Sequence, residues 1–183
     1  MSLKVSVFIA TSLDGYIARA NGDLDWLDAA QAKVPAGEDC GYQSFMQTVD
    51  LLIMGRKTYE KVLSFGAWPY GKTEVIVLSR TATSLPETIP ATVTHSSEDP
   101  HTLCERLSRD GIRHIYVDGG NTVQRFLSAG LVDELTITII PILLGKGIPL
   151  FGSLGADIHL SCVDTKQYEF GFTQLKYRIK RDA

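Results

Sequence analysis

The sequence predicts an α/β fold: a mostly parallel mixed sheet of about eight strands, helices on both faces, and an antiparallel edge at the carboxyl terminus. Three observations lead there. Short β-branched runs alternate with helical patterns from residue 4 to about residue 140, the order that builds parallel sheets. Beyond that only strand patterns remain, and the last two, Ile158 to Val163 and Phe172 to Ile179, suit an antiparallel pair. Two of the strands end in a glycine turn that opens a helix. With 183 residues, 44% of them hydrophobic, the chain suffices for one domain, 1–183, with a full core. Nothing in it reads as a linker, a repeat or a low-complexity segment.

Each element has its own signal. Val5 to Ala10 is apolar and β-branched and reads as a buried strand; Thr11 to Gly15 breaks it, and Tyr16-Ile17-Ala18 resumes briefly. Asn21-Gly22-Asp23 is a turn. Asp25-Trp26-Leu27-Asp28 opens a short helical turn that gives way to a loop through Pro35-Ala36-Gly37. Glu38 to Thr48 reads as a helix, with Tyr42, Phe45 and Met46 at helical spacing. Asp50 to Met54 is a buried strand, Gly55 to Thr58 a turn, and Tyr59 to Phe65 a helix; Gly66 to Gly71, with Trp68-Pro69 in it, is a loop. Thr73 to Leu78 is a strand, Thr81 to Pro90 a polar, proline-marked loop, and Thr92-Val93-Thr94 a short strand. Asp99-Pro100 starts a helix well, an Asp cap followed by proline at the first helical position. That helix runs to about Asp110, with Leu103, Cys104 and Leu107 inward, and Gly111 ends it. His114 to Asp118 is a strand, and the helix after it carries Val123, Phe126 and Leu127 on one face and stops at Gly130. Glu134 to Ile140 is a strand closed by Pro141, and Ile142 to Phe151 is apolar but broken by Gly145, Gly147 and Pro149.

Composition removes several function classes. A net charge of −3 and a pI near 5.8 give no basic excess for nucleic acid. The three cysteines, Cys40, Cys104 and Cys162, are odd in number and widely spaced. They show neither a disulfide framework nor metal-ligand spacing, so the expectation is a reducing, cytoplasmic setting and no metal. The amino-terminal run Met1 to Val7 enters a strand directly, without signal-peptide architecture, and no apolar run is long enough to cross a membrane. His95, His101, His114 and His159 are scattered, and no chemistry is assigned to them.

The chemistry concentrates at strand ends. In Met54-Gly55-Arg56-Lys57-Thr58 a glycine turns the chain into a helix that begins with two cations and a hydroxyl. In Asp118-Gly119-Gly120-Asn121-Thr122-Val123 a glycine pair does the same. Free N–H groups and the helix dipole at such turns hold phosphate. Either turn could instead serve helix–sheet packing alone, and the second lacks the third glycine of the longer dinucleotide fingerprint. Two such turns in one parallel sheet reinforce each other, because ligands of open α/β sheets sit outside the carboxyl ends of strands. Leu78-Ser79-Arg80 ends a third strand. Arg56, Lys57 and Arg80 on one rim would favour a 2′-phosphate, and so NADPH over NADH.

Taken together with Ala10-Thr11-Ser12-Leu13-Asp14-Gly15-Tyr16-Ile17-Ala18, these motifs resemble, in order and spacing, those of the dihydrofolate reductase fold, a three-layer sandwich. Leu131-Val132-Asp133-Glu134-Leu135 and the stretch Pro141 to Phe151 look like the C-terminal reductase domain of the bifunctional riboflavin-biosynthesis deaminase/reductase and its stand-alone relatives. The resemblance implies NADPH as cofactor. It places the Ala10 backbone and Ile17 at the nicotinamide, and Gly55, Arg56, Lys57 and Thr58 at phosphates and the adenosine side. Leu78, Ser79 and Arg80 would flank the adenine and its 2′-phosphate, and Gly119, Gly120, Asn121, Thr122 and Val123 would cradle the pyrophosphate. Trp26 and Phe45 fall in the substrate pocket. The riboflavin reductases pair through their C-terminal region, which implies a homodimer.

Two departures bear on function. Counting four back from Phe45, where a bacterial dihydrofolate reductase carries its acid, gives Gly41, with Glu38 and Asp39 close by. The riboflavin enzyme typically has Glu-Gly-Gly where this chain has Asp118-Gly119-Gly120. The zinc-ligand Cys and His spacing of the deaminase half is not found in these 183 residues, so the expectation is a reductase domain without it. The expectation is an NADPH-dependent reductase of a small heterocycle or ribosylamino-pyrimidine of pterin or uracil type, with Asp118 the first choice and Asp28 the second for the substrate-side carboxylate. The alternatives are dihydrofolate reduction and a non-catalytic NADP-binding module.

Overall fold

The structure, a computed structural model, describes residues 3–81, 85, 86 and 88–180. Their strands are β1 (Lys4–Ser12), β2 (Tyr16–Ala18), β3 (Leu51–Gly55), β4 (Glu74–Leu78), β5 (Val93–Ser96), β6 (His114–Asp118), β7 (Glu134–Ile140), β8 (Ile148–Pro149), β9 (Leu160–Gln167) and β10 (Thr173–Ile179). The helices are α1 (Asp25–Gln31), α2 (Tyr42–Met46), α3 (Arg56–Leu63), α4 (Pro100–Arg109) and α5 (Gly120–Ser128). Eight strands form one sheet in the order β5-β4-β3-β6-β1-β7-β10-β9, and β2 and β8 form a separate two-stranded ribbon. Neighbours from β5 to β7 are parallel; β10 runs antiparallel to both β7 and β9. This is the mixed sheet with an antiparallel carboxy-terminal edge that the sequence predicts.

Alternation along the strands divides the core into two layers. Val5, Val7, Ile53, Ile115 and Val117 pack with Leu103 and Leu107 of α4 and Val123 and Phe126 of α5. Leu52, Met54, Val75, Val77 and Tyr116 point to the other face, with Phe45 of α2 and Tyr59 of α3. Trp26 and Ala30 seat α1 against Ile140, Tyr168 and Phe172.

Several boundaries move for physical reasons. The helix expected over Glu38 to Thr48 is only Tyr42–Met46. Cys40 and Gly41 both adopt left-handed backbone, φ 54° and 82°, which no α-helix can continue through. The Glu38 carboxylate takes the Cys40 N–H, and Asp39 takes those of Gly41 and Gln43, so local side-chain bonds replace the helical ladder. The helix expected from Tyr59 begins at Arg56, since Gly55 is itself its cap. The turn at Asp25–Asp28 extends into a seven-residue helix, with Trp26 and Ala30 buried at i and i+4. β5 and β9 lie later than expected and contain polar residues, as edge strands do. The broken stretch Ile142 to Phe151 supplies β8, whose two residues pair with β2. The loop expected over Thr81 to Pro90 lies partly outside the described residues.

Candidate functional site

β3 and β6 are neighbours, with Met54 opposite Asp118. From β3 the chain passes through α3 to β4 on one side; from β6 it passes through α5 toward β7 on the other. α3 and α5 pack on opposite faces of the sheet. Diverging crossovers of this kind leave a crevice at the carboxyl ends of the two strands. Both glycine turns open onto it.

The turns interlock. A Cβ on Gly55 would sit 2.7 Å from Thr122 Oγ1, and one on Gly119 would run into Thr58 Oγ1. A Cβ on Gly120 would lie 3.0 Å from Ile17 Cδ1 and 3.1 Å from the Pro149 carbonyl oxygen. Gly119 also has φ 89°, a conformation that side-chain-bearing residues resist. Each hydroxyl thus occupies the space that a side chain on the opposite turn would need. Neither Gly55 nor Gly119 supplies a side-chain cap, so the first-turn N–H groups of α3 and α5 have no partner within their helices. The Gly119 N–H donates to the Asp118 carboxylate at 2.8 Å, and donors for an anion therefore begin at Gly120.

The other cofactor residues of the sequence reading fall around this cradle. Arg56 and Lys57 are exposed at the start of α3, Arg56 3.4 Å from Glu60 across one helical turn. Val123 is fully buried under α5, and Asn121 is exposed. Leu78 ends β4 in the core, the Ser79 carbonyl meets His95 Nε2 at 2.9 Å, and Arg80 is exposed just beyond. Ala10 is half-buried opposite Thr138. The Asp14 carboxylate accepts from Ser12 Oγ at 2.6 Å and from the Leu144 and Gly145 N–H groups. It fastens the turn before β2 to the segment that crosses over the glycines.

Asp118 closes the crevice on the sheet side. Burial pushes its carboxyl up to about 6, against the opposing hydrogen bond from the Gly119 N–H. Three tyrosines from three elements surround it: Tyr42 of α2, Tyr70 of the loop before β4 and Tyr116 of β6. Burial, with the Asp118 charge adding to it, raises all three, Tyr42 to about 12. Tyr116 donates to the Phe8 carbonyl at 2.8 Å. Phe45 stacks on Phe8 at 4.9 Å and meets Tyr116 edge-on at 5.2 Å, and Trp68 packs on Tyr70 at 5.3 Å. An acid with a pKa near neutrality, set among aromatic rings and hydroxyls, can hold a proton beside a planar polar ring.

The carboxylate alternatives lie elsewhere. Asp28 is exposed on α1. Glu38 and Asp39 are tied to backbone N–H groups, and position 41 carries no side chain. Trp26 is buried, and its Nε1 has no hydrogen-bond partner among the described residues. The tyrosine cluster is what sequence reasoning missed. Tyr116 was legible, because it stands two residues before Asp118 and so on the same face. Tyr42 read as one of three residues at helical spacing and Tyr70 as part of a loop, and only the fold joins them.

Comparison with known proteins shows the family to which this fold belongs. The family model for the RibD C-terminal domain matches residues 3–173. The uncharacterized protein YwjB of Bacillus subtilis is 37% identical over 171 residues, 92% of this chain and 94% of YwjB. A Shewanella sp. PV-4 protein assigned provisionally to riboflavin biosynthesis has a crystal structure that superposes with a TM-score of 0.91 at 41% identity, over 98% of this chain and all of that one. The Thermotoga maritima diaminohydroxyphosphoribosylaminopyrimidine deaminase/5-amino-6-(5-phosphoribosylamino)uracil reductase shares the fold, with a TM-score of 0.69 at 15% identity over 98% of this chain and 57% of that one.

Proposed function

The chain belongs to the RibD C-terminal domain family, and on that premise we propose that it is an NADPH-dependent reductase acting on a small nitrogen heterocycle of pyrimidine or pterin type. The observation that carries the reading is the interlocked pair of glycine turns at the β3–β6 crevice. The residues present fit a dinucleotide: three glycines let the two turns pack against each other at the crevice, and two helix starts without side-chain caps face it. Gly120 to Thr122 would hold the pyrophosphate, Arg56, Lys57 and Arg80 the adenosine phosphate, and Ala10 and Ile17 the nicotinamide end. NADPH, when bound, supplies the hydride. The chain itself positions the heterocycle between Tyr42, Tyr70 and Phe45, keeps water from its buried edge, and provides the balancing proton from Asp118. 5-Amino-6-(5-phosphoribosylamino)uracil, named for the Thermotoga relative, is the leading substrate. Dihydrofolate reduction is disfavoured because no acid stands at Gly41.

The test is single-turnover oxidation of NADPH with that aminouracil, with dihydrofolate and with a simple pterin. Asp118→Asn should slow the active reaction by about a hundredfold or more, in the range of lost general acids, while NADPH binds unchanged. Cofactor binding without oxidation by any of the three would leave a binding module instead. The reading includes a homodimer through the C-terminal strands, where β9 is exposed along nearly its whole length, Val163 included. A monomeric mass by light scattering at micromolar concentration removes that part.

A further inference from the structure

The sheet face beneath α2 changes character along β1. Phe8 belongs to the aromatic layer, but Ser6 and Lys4, two and four residues earlier on the same face, do not. Register sets Lys4 opposite His114, Ser6 opposite Glu134, and Thr136 opposite Lys176. These six side chains line a cavity of about 360 Å³ between the sheet and α2, within the size range of small-molecule sites. The stacked Phe8 and Phe45 rings stand at its end toward Asp118.

Its polar groups are specified individually. His114 Nδ1 lies 2.8 Å from the Thr48 carbonyl, which can only accept, so Nδ1 carries the proton. Burial keeps the imidazole pKa below its ordinary value. Nε2 is then an acceptor and takes the Ser6 hydroxyl proton at 2.8 Å. Ser6 Oγ has therefore given its proton away and presents lone pairs to the cavity. Glu134 is buried, with Lys4 Nζ at 2.8 Å, Lys176 Nζ at 3.6 Å and Arg178 at 3.4 Å. Burial alone would raise its carboxyl, and Lys4 with the other cations holds it below the usual range instead. Of the cavity's own lining, Lys4 and Lys176 face the single carboxylate of Glu134, with Arg178 and Asp164 outside it, so the lining carries one positive charge more than it neutralises.

We propose that this cavity is a second ligand site, separate from the Asp118 crevice, for a small hydroxylated organic anion. Its anionic group sits between Lys4 and Lys176, and a ligand hydroxyl donates to Ser6 Oγ. The charge surplus calls for the anion. The deprived Ser6 oxygen calls for a donor on the same molecule, which a bare anion lacks. Phosphate and carboxylate heads meet the same pair of lysines, and the experiment separates them.

The test is calorimetric titration of the full chain, without NADPH, with ribose 5-phosphate, gluconate and inorganic phosphate. At least one hydroxylated anion should bind about tenfold more tightly than inorganic phosphate, and which of the two does so identifies the head group. Lys4→Met and Lys176→Met, both at side chains 41% exposed, should weaken that binding about tenfold or more. Ser6→Ala should remove the advantage over inorganic phosphate. Arg178→Gln, which touches Glu134 from outside the cavity, should bind like the parent. No binding of either hydroxylated anion up to about 10 mM, or equal affinities in both lysine variants and the parent, overturns the proposal. The outcome is independent of hydride transfer, since no cofactor is present.

Discussion

Asp118 is the proton donor of the proposed reduction, and its titration gives it a signature. Its folded pKa of about 6 lies above the ordinary 3.8, so the folded state holds this proton more tightly than the unfolded one. That contribution to stability is complete below the unfolded pKa and is lost as pH rises through the folded one. Asp118→Asn cannot ionise, so it should gain on the parent between about pH 5 and pH 8, by on the order of 1–3 kcal/mol in urea unfolding. Catalytically, a proton donor with this pKa should give a turnover rate that declines as pH rises above about 6, and the Asn variant should lack that limb. The sequence could nominate Asp118 because it stands beside the glycine pair. It could not supply the elevated pKa, which comes from rings on β1, α2 and the loop before β4.

At the scale of elements, the two glycine turns make a paired prediction. Gly55→Ala puts a methyl group 2.7 Å from Thr122 Oγ1, an overpacking that should cost about 1–3 kcal/mol. Adding Thr122→Ala removes the obstructing oxygen, so the double variant should recover part of the loss in chemical denaturation. Additive losses would mean that the two turns do not share the space. A second element supplies a control remote from the crevice. Asp99 accepts from the N–H groups of His101 and Thr102 and from the Thr102 hydroxyl. Asp99→Ala should cost about 0.5–2 kcal/mol by thermal or urea unfolding, without affecting cofactor binding. This cap was fully legible, because Asp followed by Pro is a local signal. α2 was not, since left-handed backbone at Cys40, a residue other than glycine, leaves no mark in composition. β8 was not either, because two residues show no periodicity and its pairing with β2 spans the chain.

For the whole molecule, cofactor preference is the decisive measurement. A ligand that binds only the folded state stabilises it by about 2.7 kcal/mol at a hundredfold excess over its Kd. NADPH should therefore raise the unfolding temperature more than NADH at equal concentration, and Arg80→Gln should narrow the difference while leaving the NADH response unchanged. The overall architecture was readable because strand and helix patterns follow one another as far as β7 and the central strands β1, β3, β4, β6 and β7 carry apolar, mostly β-branched runs. What the order could not give is lateral position. Nothing local in Lys4–Ser12 says that it lies between β6 and β7 rather than beside β3.

That lateral position has a consequence for how the chain is made. β1 is the first strand synthesised, yet both of its neighbours lie more than 100 residues downstream, Lys4 against His114 and Ser6 against Glu134. Non-local pairings of this kind carry a large loop-closure cost and slow folding. As the nascent chain leaves the ribosome, β3, β4 and β5 can assemble while the amino-terminal strand, apolar on one face, stays unmatched. The central seam closes only when β7 has emerged. During that interval Val5 to Ala10 stays an exposed apolar strand edge, and polar substitutions on its buried face should change refolding yield as well as stability, as renaturation at micromolar concentration would read.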